Sequence, residues 1–125
     1  MKVIIVDDHP LVREGIRNVL LSSDLKIEIL GEASSSAELL DLLSDELPDI
    51  VLLDITLTDR SGIDCLHDLK KMYPDLRVLM ISMHSEKKFA LRALKAGAAG
   101  YLNKRAMYDE LVKAIRVIVE GKNVI

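Results

Sequence analysis

Three short apolar runs punctuate the chain: Val3-Ile4-Ile5-Val6, Ile50-Val51-Leu52-Leu53 and Val78-Leu79-Met80-Ile81. Each is continuous rather than alternating and is built from β-branched residues, Leu and Met. A strand with one wet face alternates, whereas a strand covered on both faces does not. The pattern therefore predicts three strands of a parallel sheet buried on both sides. Two weaker strands are predicted over residues 27–32 and 100–103.

Between these runs the apolar spacing changes to that of helices. Leu11, Val12, Gly15, Ile16, Val19 and Leu20 repeat at helical intervals behind Pro10, a residue suited to a first turn. Ala37, Leu40, Leu43 and Leu47 form a second set, which Pro48 is expected to end. Ile63, Leu66, Leu69 and Tyr73 form a third, stopped before Pro74. Phe89, Ala90, Ala93 and Leu94 form a fourth, closed by Gly97 as a C-terminal cap. Leu111, Ala114, Ile115 and Ile118 form a fifth, ending near Gly121. The order is βα repeated five times, which predicts an α/β fold with an open parallel sheet and helices on both faces.

Composition narrows this picture. The chain has 125 residues, half of them apolar, which suits one domain with a real core, folded over about 1–121. No run approaches the roughly 18 apolar residues of a membrane span. MKVIIVDDHP lacks the apolar length and cleavage site of a signal peptide. The single cysteine, Cys65, allows no internal disulfide and fits a small apolar residue in a reducing, cytoplasmic setting. The net charge of −3 is unevenly spread. Acids dominate residues 22–49, where Lys26 is the only base, which argues against nucleic-acid binding there. Bases dominate residues 67–122 and offer an interaction face, although a solvated surface explains most single charges equally well.

The chemistry lies just beyond the strands. The first predicted strand leads into Asp7-Asp8, the third into Asp54, the fourth into Ser82 and the fifth into Lys104. In an open α/β sheet these ends share one edge, where ligands bind at the switch in strand order. Each residue has an ordinary explanation alone: Asp8 as a helix cap, Ser82 as a turn residue, Lys104 as a surface lysine. Asp54 is harder to explain away, because a carboxylate following four apolar residues is partly buried and needs a partner. Carboxylates about 5 Å apart at an effective dielectric near 20 repel by roughly 3 kcal/mol per pair. A divalent cation removes that conflict, and an all-oxygen donor set suits Mg²⁺. His9, His67 and His84 are scattered, with no zinc spacing. Asp54 can then act as a nucleophile toward phosphorus, with the ion and Lys104 neutralising the transferring group and Ser82 donating to it.

The segments VDDHPLVREGI, PDIVLLDI, RSGID, VLMISMH and AGAAGYLNK together resemble a response-regulator receiver domain, over essentially all of residues 1–125. The DDHPLVREG, ISMH and AGAAGYL forms resemble the NarL/LuxR-like (FixJ-like) subfamily. The resemblance implies a flavodoxin-like three-layer sandwich with strand order 2-1-3-4-5. It implies that Asp54 is the phosphoacceptor, Asp8 a direct metal ligand and Asp7 its neighbour acting through water. Thr56 supplies a backbone carbonyl to the metal, Ser82 is the switch hydroxyl, Lys104 binds the phosphoryl group, and Tyr101 changes rotamer with the switch. The implied partner is a sensor histidine kinase with Mg²⁺, and the implied output is a phosphorylation-dependent homodimer. DNA contact would come only through a helix-turn-helix effector beyond these residues, reached by a linker near the chain end. Apart from its own phosphoryl transfer and autodephosphorylation, no enzymatic activity is implied.

Four positions depart from the family pattern. Thr58 replaces a common Pro, which is expected to loosen its loop by about 0.4–1 kcal/mol. Arg105 follows Lys104 where many receivers have a cis-Pro, and a trans bond is expected. Asn103 is expected to face solvent, and His84 resembles the family position that tunes dephosphorylation, with no specific role assigned to it. Lys87, Lys88, Arg92 and Lys95 lie on a face that the family uses for regulation. The rival readings fare worse. A flavin carrier wants a Ser/Thr/Gly-rich loop after the first strand, and a haloacid-dehalogenase-like phosphatase wants Asp-x-Asp there. A degenerate receiver acting only as an interaction module would lack one of the key groups.

Overall fold

The computed structural model describes residues 1–83, 87–105 and 107–121. In chain order the elements are β1 (Lys2–Val6), α1 (Pro10–Ser22), β2 (Glu28–Ala33), α2 (Ser36–Asp45), β3 (Ile50–Asp54), α3 (Gly62–Met72), β4 (Val78–Ser82), α4 (Lys87–Lys95), β5 (Gly100–Asn103) and α5 (Met107–Val119). All five strands pair in parallel in the order β2-β1-β3-β4-β5. Parallel neighbours need long crossovers, and a helix supplies each one.

The continuous apolar runs are explained by two cores, one on each side of the sheet. Ile4, Val6, Val51, Leu53, Val78 and Met80 face one core with residues of α2, α3 and α4. Val3, Ile5, Ile50, Leu52, Leu79 and Ile81 face the other with residues of α1 and α5. Alternate residues of one strand thus enter opposite cores, giving the three-layer sandwich.

The helices differ from expectation in detail. In α2 the buried residues are Ser36, Leu39 and Leu43, whereas Leu40 is exposed and Leu47 lies outside the helix. The helix starts where Ser35 accepts a hydrogen bond from the Glu38 N–H, and that start sets its rotation. It ends at Asp45 rather than at Pro48, with Glu46 already extended, because the chain must straighten to enter β3. Leu11, expected on the buried face of α1, is 81% exposed; Ile16 and Leu20 carry that face. Gly97 has a φ of +102° just beyond α4, as its capping role requires.

Candidate functional site

Four chain segments meet at the carboxyl edge of the sheet, around the β1–β3 boundary where the strand order switches. Asp7 follows β1, Asp54 ends β3, Ser82 ends β4, and Lys104 follows β5; all four are buried. The Lys104 N–H donates to the Ser82 carbonyl at 2.7 Å, which aligns the last two strand ends. The Arg13 guanidinium donates to the Asp7 carbonyl and fixes the end of β1. Gly62 is required by a close approach: a Cβ there would lie 2.3 Å from the Asp54 carbonyl oxygen.

Lys104 joins the carboxylates. Its Nζ lies 2.7 Å from Asp7 Oδ2 and 3.2 Å from Asp54 Oδ2. The Thr56 N–H donates to Asp54 Oδ1 at 3.1 Å. Burial, and then the Asp7 charge, push the Asp54 carboxyl above the ordinary carboxylate value; the Thr56 N–H and Lys104 oppose them without prevailing. Burial alone would lower the Lys104 ammonium, but Asp7 and Asp54 outweigh it and the net direction is up. Lys104 therefore stays charged and Asp54 is a comparatively basic carboxylate.

The acidic pair is not used for helix capping. His9 is the N-cap residue of α1 and makes no side-chain cap bond. Asp7 Oδ1 instead accepts from the His9 backbone N–H at 2.8 Å. Asp7 Oδ2 and Asp8 Oδ1 are buried and each has one charged neighbour, the Lys104 Nζ at 2.7 Å and the His9 Nδ1 at 2.8 Å. Oxygen-rich carboxylates with unused lone pairs suit a hard divalent cation. Ligand atoms of Asp7, Asp8, His9 and Asp54 all lie within 4.8 Å of one another. His9, one of three histidines that look scattered in the sequence, thus joins the site; its adjacency to Asp8 was the available signal.

Tyr101 is buried on the sheet face that carries Met80, with which it is in register. Ser82 lies two residues beyond Met80 and so shares that face. Asn103 neither enters the acidic cluster nor simply faces solvent: its Oδ1 accepts from the Arg105 N–H at 2.9 Å, shaping the turn after Lys104. Among the described residues no peptide bond is cis, so Lys104–Arg105 is trans as expected. His84 lies outside the described residues. The loop bearing Thr58 has an anchor that the sequence did not reveal. The Asp59 carboxylate accepts from the Ser36 N–H, the Ser36 hydroxyl and the Ala37 N–H at the start of α2.

A doubly wound parallel sheet with an acidic pocket and a lysine at its switch point places the chain among the flavodoxin-like α/β proteins. Residues 3–116 match the family model described as the response regulator receiver domain, and the chain belongs to that family. Within it the chain is NarL/LuxR-like. It is 37% identical over 125 residues to the response regulator GacA of Pseudomonas syringae pv. syringae, covering 100% of this chain and 58% of GacA. A LuxR-family two-component response regulator from Aurantimonas superposes with a TM-score of 0.92 at 36% identity, over 99% of this chain and 88% of that one. The signal receiver domain of the NarL response regulator from Mycobacterium tuberculosis gives 0.88 at 36% identity, over 97% of each chain. The chain spans just over half the length of the curated relatives it matches, 51% and 58% in two of them. Among the described residues no helix is long and apolar enough to cross a membrane.

Proposed function

We infer that Asp54 accepts a phosphoryl group from the phosphohistidine of a sensor histidine kinase in the cytoplasm, and that the acyl phosphate switches the domain's surface. The observation that carries this reading is the shared Lys104 ammonium: one buried cation lies against both Asp7 and Asp54. Asp7, Asp8, Asp54 and the Thr56 carbonyl would hold Mg²⁺, a fit supported by carboxylate ligand atoms that lie within 4.8 Å of one another. When bound, the ion neutralises charge on the transferring phosphoryl oxygens.

An Asp54 carboxylate oxygen attacks phosphorus. The new P–O bond forms as the P–N bond breaks, and its electron pair returns to the imidazole. Lys104 leaves its pairing with the Asp54 carboxylate to hold a phosphoryl oxygen, and the Ser82 hydroxyl donates to another. The added negative charge draws both inward. Tyr101, on the same sheet face as Ser82, carries the change toward α4 and α5. Hydrolysis of the acyl phosphate by water resets Asp54, so the chain turns over no separate substrate. The extra length of the relatives supports an output module outside these residues, a helix-turn-helix that contacts DNA, with dimerisation of the receiver as the intermediate step.

Beryllofluoride with Mg²⁺ mimics the acyl phosphate without a kinase. Amide NMR should show shifts at Ser82, Tyr101 and Lys104 in the wild type and none in Asp54→Asn. Identical spectra for the wild type with and without the mimic would contradict the reading.

A further inference from the structure

Two exposed surfaces take no part in the phosphoryl transfer, and their charges are opposite. The first is the outward stripe of α4. Lys88, Leu91, Arg92 and Lys95 are all exposed, and their positions i, i+3, i+4 and i+7 share one helix face. The helix carries no acid. Lys88 lies over the Phe89 ring, 5.4 Å from its centroid. Among the described residues Arg92 and Lys95 make no ion pair. Leu91, in the middle of the stripe, is 54% exposed. The second surface is a groove of about 330 Å³ where the chain leaves α2 and α3, lined by Leu47, Met72, Tyr73, Pro74 and Asp75 with their neighbours. Leu47 and Met72 are each 49% exposed. Residues 45–49 bring Asp45, Glu46 and Asp49 beside it with no base. Lys2 is paired with Glu46, and the Lys70 ammonium is held by the Pro74 and Leu76 carbonyls at 2.6 and 2.9 Å. Asp45 and Asp75 make no ion pair among the described residues.

The molecule thus presents a leucine flanked by bases and an apolar groove flanked by acids. One chain cannot join them, because α2 packs on β2 and β1 while α4 packs on β5, at opposite edges of the sheet. Two α4 stripes brought together about a two-fold axis would set bases against bases. We propose that a second copy of this chain docks its α4 stripe into the groove, with Leu91 entering between Leu47 and Met72 and the three bases meeting Asp45, Asp49 and Asp75. The contact is heterologous: each copy gives its stripe to one neighbour and its groove to another. The inference rests on the reading that copies of the receiver associate, and it names the surface that the α4 bases meet. Each added copy leaves one stripe and one groove free, so association passes beyond two copies as concentration rises. Because the paired charges are exposed, salt weakens it.

The test is sedimentation equilibrium of the tag-free chain with Mg²⁺ and beryllofluoride, at low and at high salt. Lys88→Glu with Arg92→Glu reverses the stripe, and Asp45→Lys with Asp75→Lys reverses the groove; all four residues are exposed, and circular dichroism checks that both variants fold. The wild-type mass should rise past that of two copies with concentration, less so at high salt. Each variant alone should associate about tenfold or more weakly than the wild type. An equimolar mixture of the two should associate again, because one keeps an intact groove and the other an intact stripe. If the groove variant associates like the wild type, the groove is not the partner, and the proposal falls while association through α4 stands. A wild type that stops at two copies, or a mixture that stays monomeric, overturns the heterologous contact in the same way. A wild type that remains monomeric throughout overturns both this proposal and the association reading beneath it, and leaves the groove to a different partner.

Discussion

At the residue scale, Asp54 is held in a state that the fold itself opposes. Burial and the Asp7 charge raise its pKa above the ordinary 3.8, so the folded chain binds the Asp54 proton more tightly than the unfolded chain does. The stabilisation from that proton is complete below the unfolded value and is lost as pH rises through the raised one. Without divalent cations, Asp54→Asn should therefore melt at a higher temperature than the wild type at neutral pH. The gap should close as pH falls toward 3.8. Melting curves across that range check it, and a variant less stable at neutral pH would contradict it. The sequence pointed to Asp54, Asp7, Asp8, Ser82 and Lys104 because each stands at a strand end. It did not show that Lys104 would contact two carboxylates at once, nor that His9 would lie against both members of the acidic pair. Those facts depend on side-chain directions that no linear spacing encodes.

At the element scale, the loop after β3 shows how a local expectation can be met by a distant contact. Thr58 gives the loop no proline stiffness, yet Asp59 ties the loop to the start of α2. Asp59→Ala removes those acceptors and should cost about 1 kcal/mol, the usual loss for a helix N-terminal cap, read as a lower denaturation midpoint. No change in the midpoint would mean that Ser35 alone suffices to cap the helix. The strands were legible because burial on both faces leaves continuous apolar runs. The exposed and buried faces of α2 were not: Leu39, Leu40, Leu42, Leu43 and Leu47 allow several stripes, and the cap that fixes the rotation is a hydrogen-bonding choice among three consecutive serines.

At the scale of the whole molecule, the two cores make the sheet a divider between α1 with α5 and α2, α3 with α4. The five βα units were legible from periodicity. The strand order was not, because apolar runs do not name their neighbours; it came from the family resemblance. Ser82 and Tyr101 lie on the face toward α4, where Lys88 and Arg92 are exposed; under the proposed function this basic surface would be the contact of a phosphorylation-dependent dimer. Reversing both charges should abolish dimer formation induced by the phosphoryl mimic, measured by analytical ultracentrifugation. Dimerisation equal to that of the wild type would move the interface elsewhere.

All of this depends on Asp54 being the acceptor. The direct measurement is intact mass after incubation with Mg²⁺ and a small-molecule phosphodonor, followed by peptide mapping of the modified site. The wild type should gain one phosphoryl group, mapped to Asp54, and Asp54→Asn should gain none. A phosphoryl group that still appears on Asp54→Asn, or no gain on the wild type, would contradict the account.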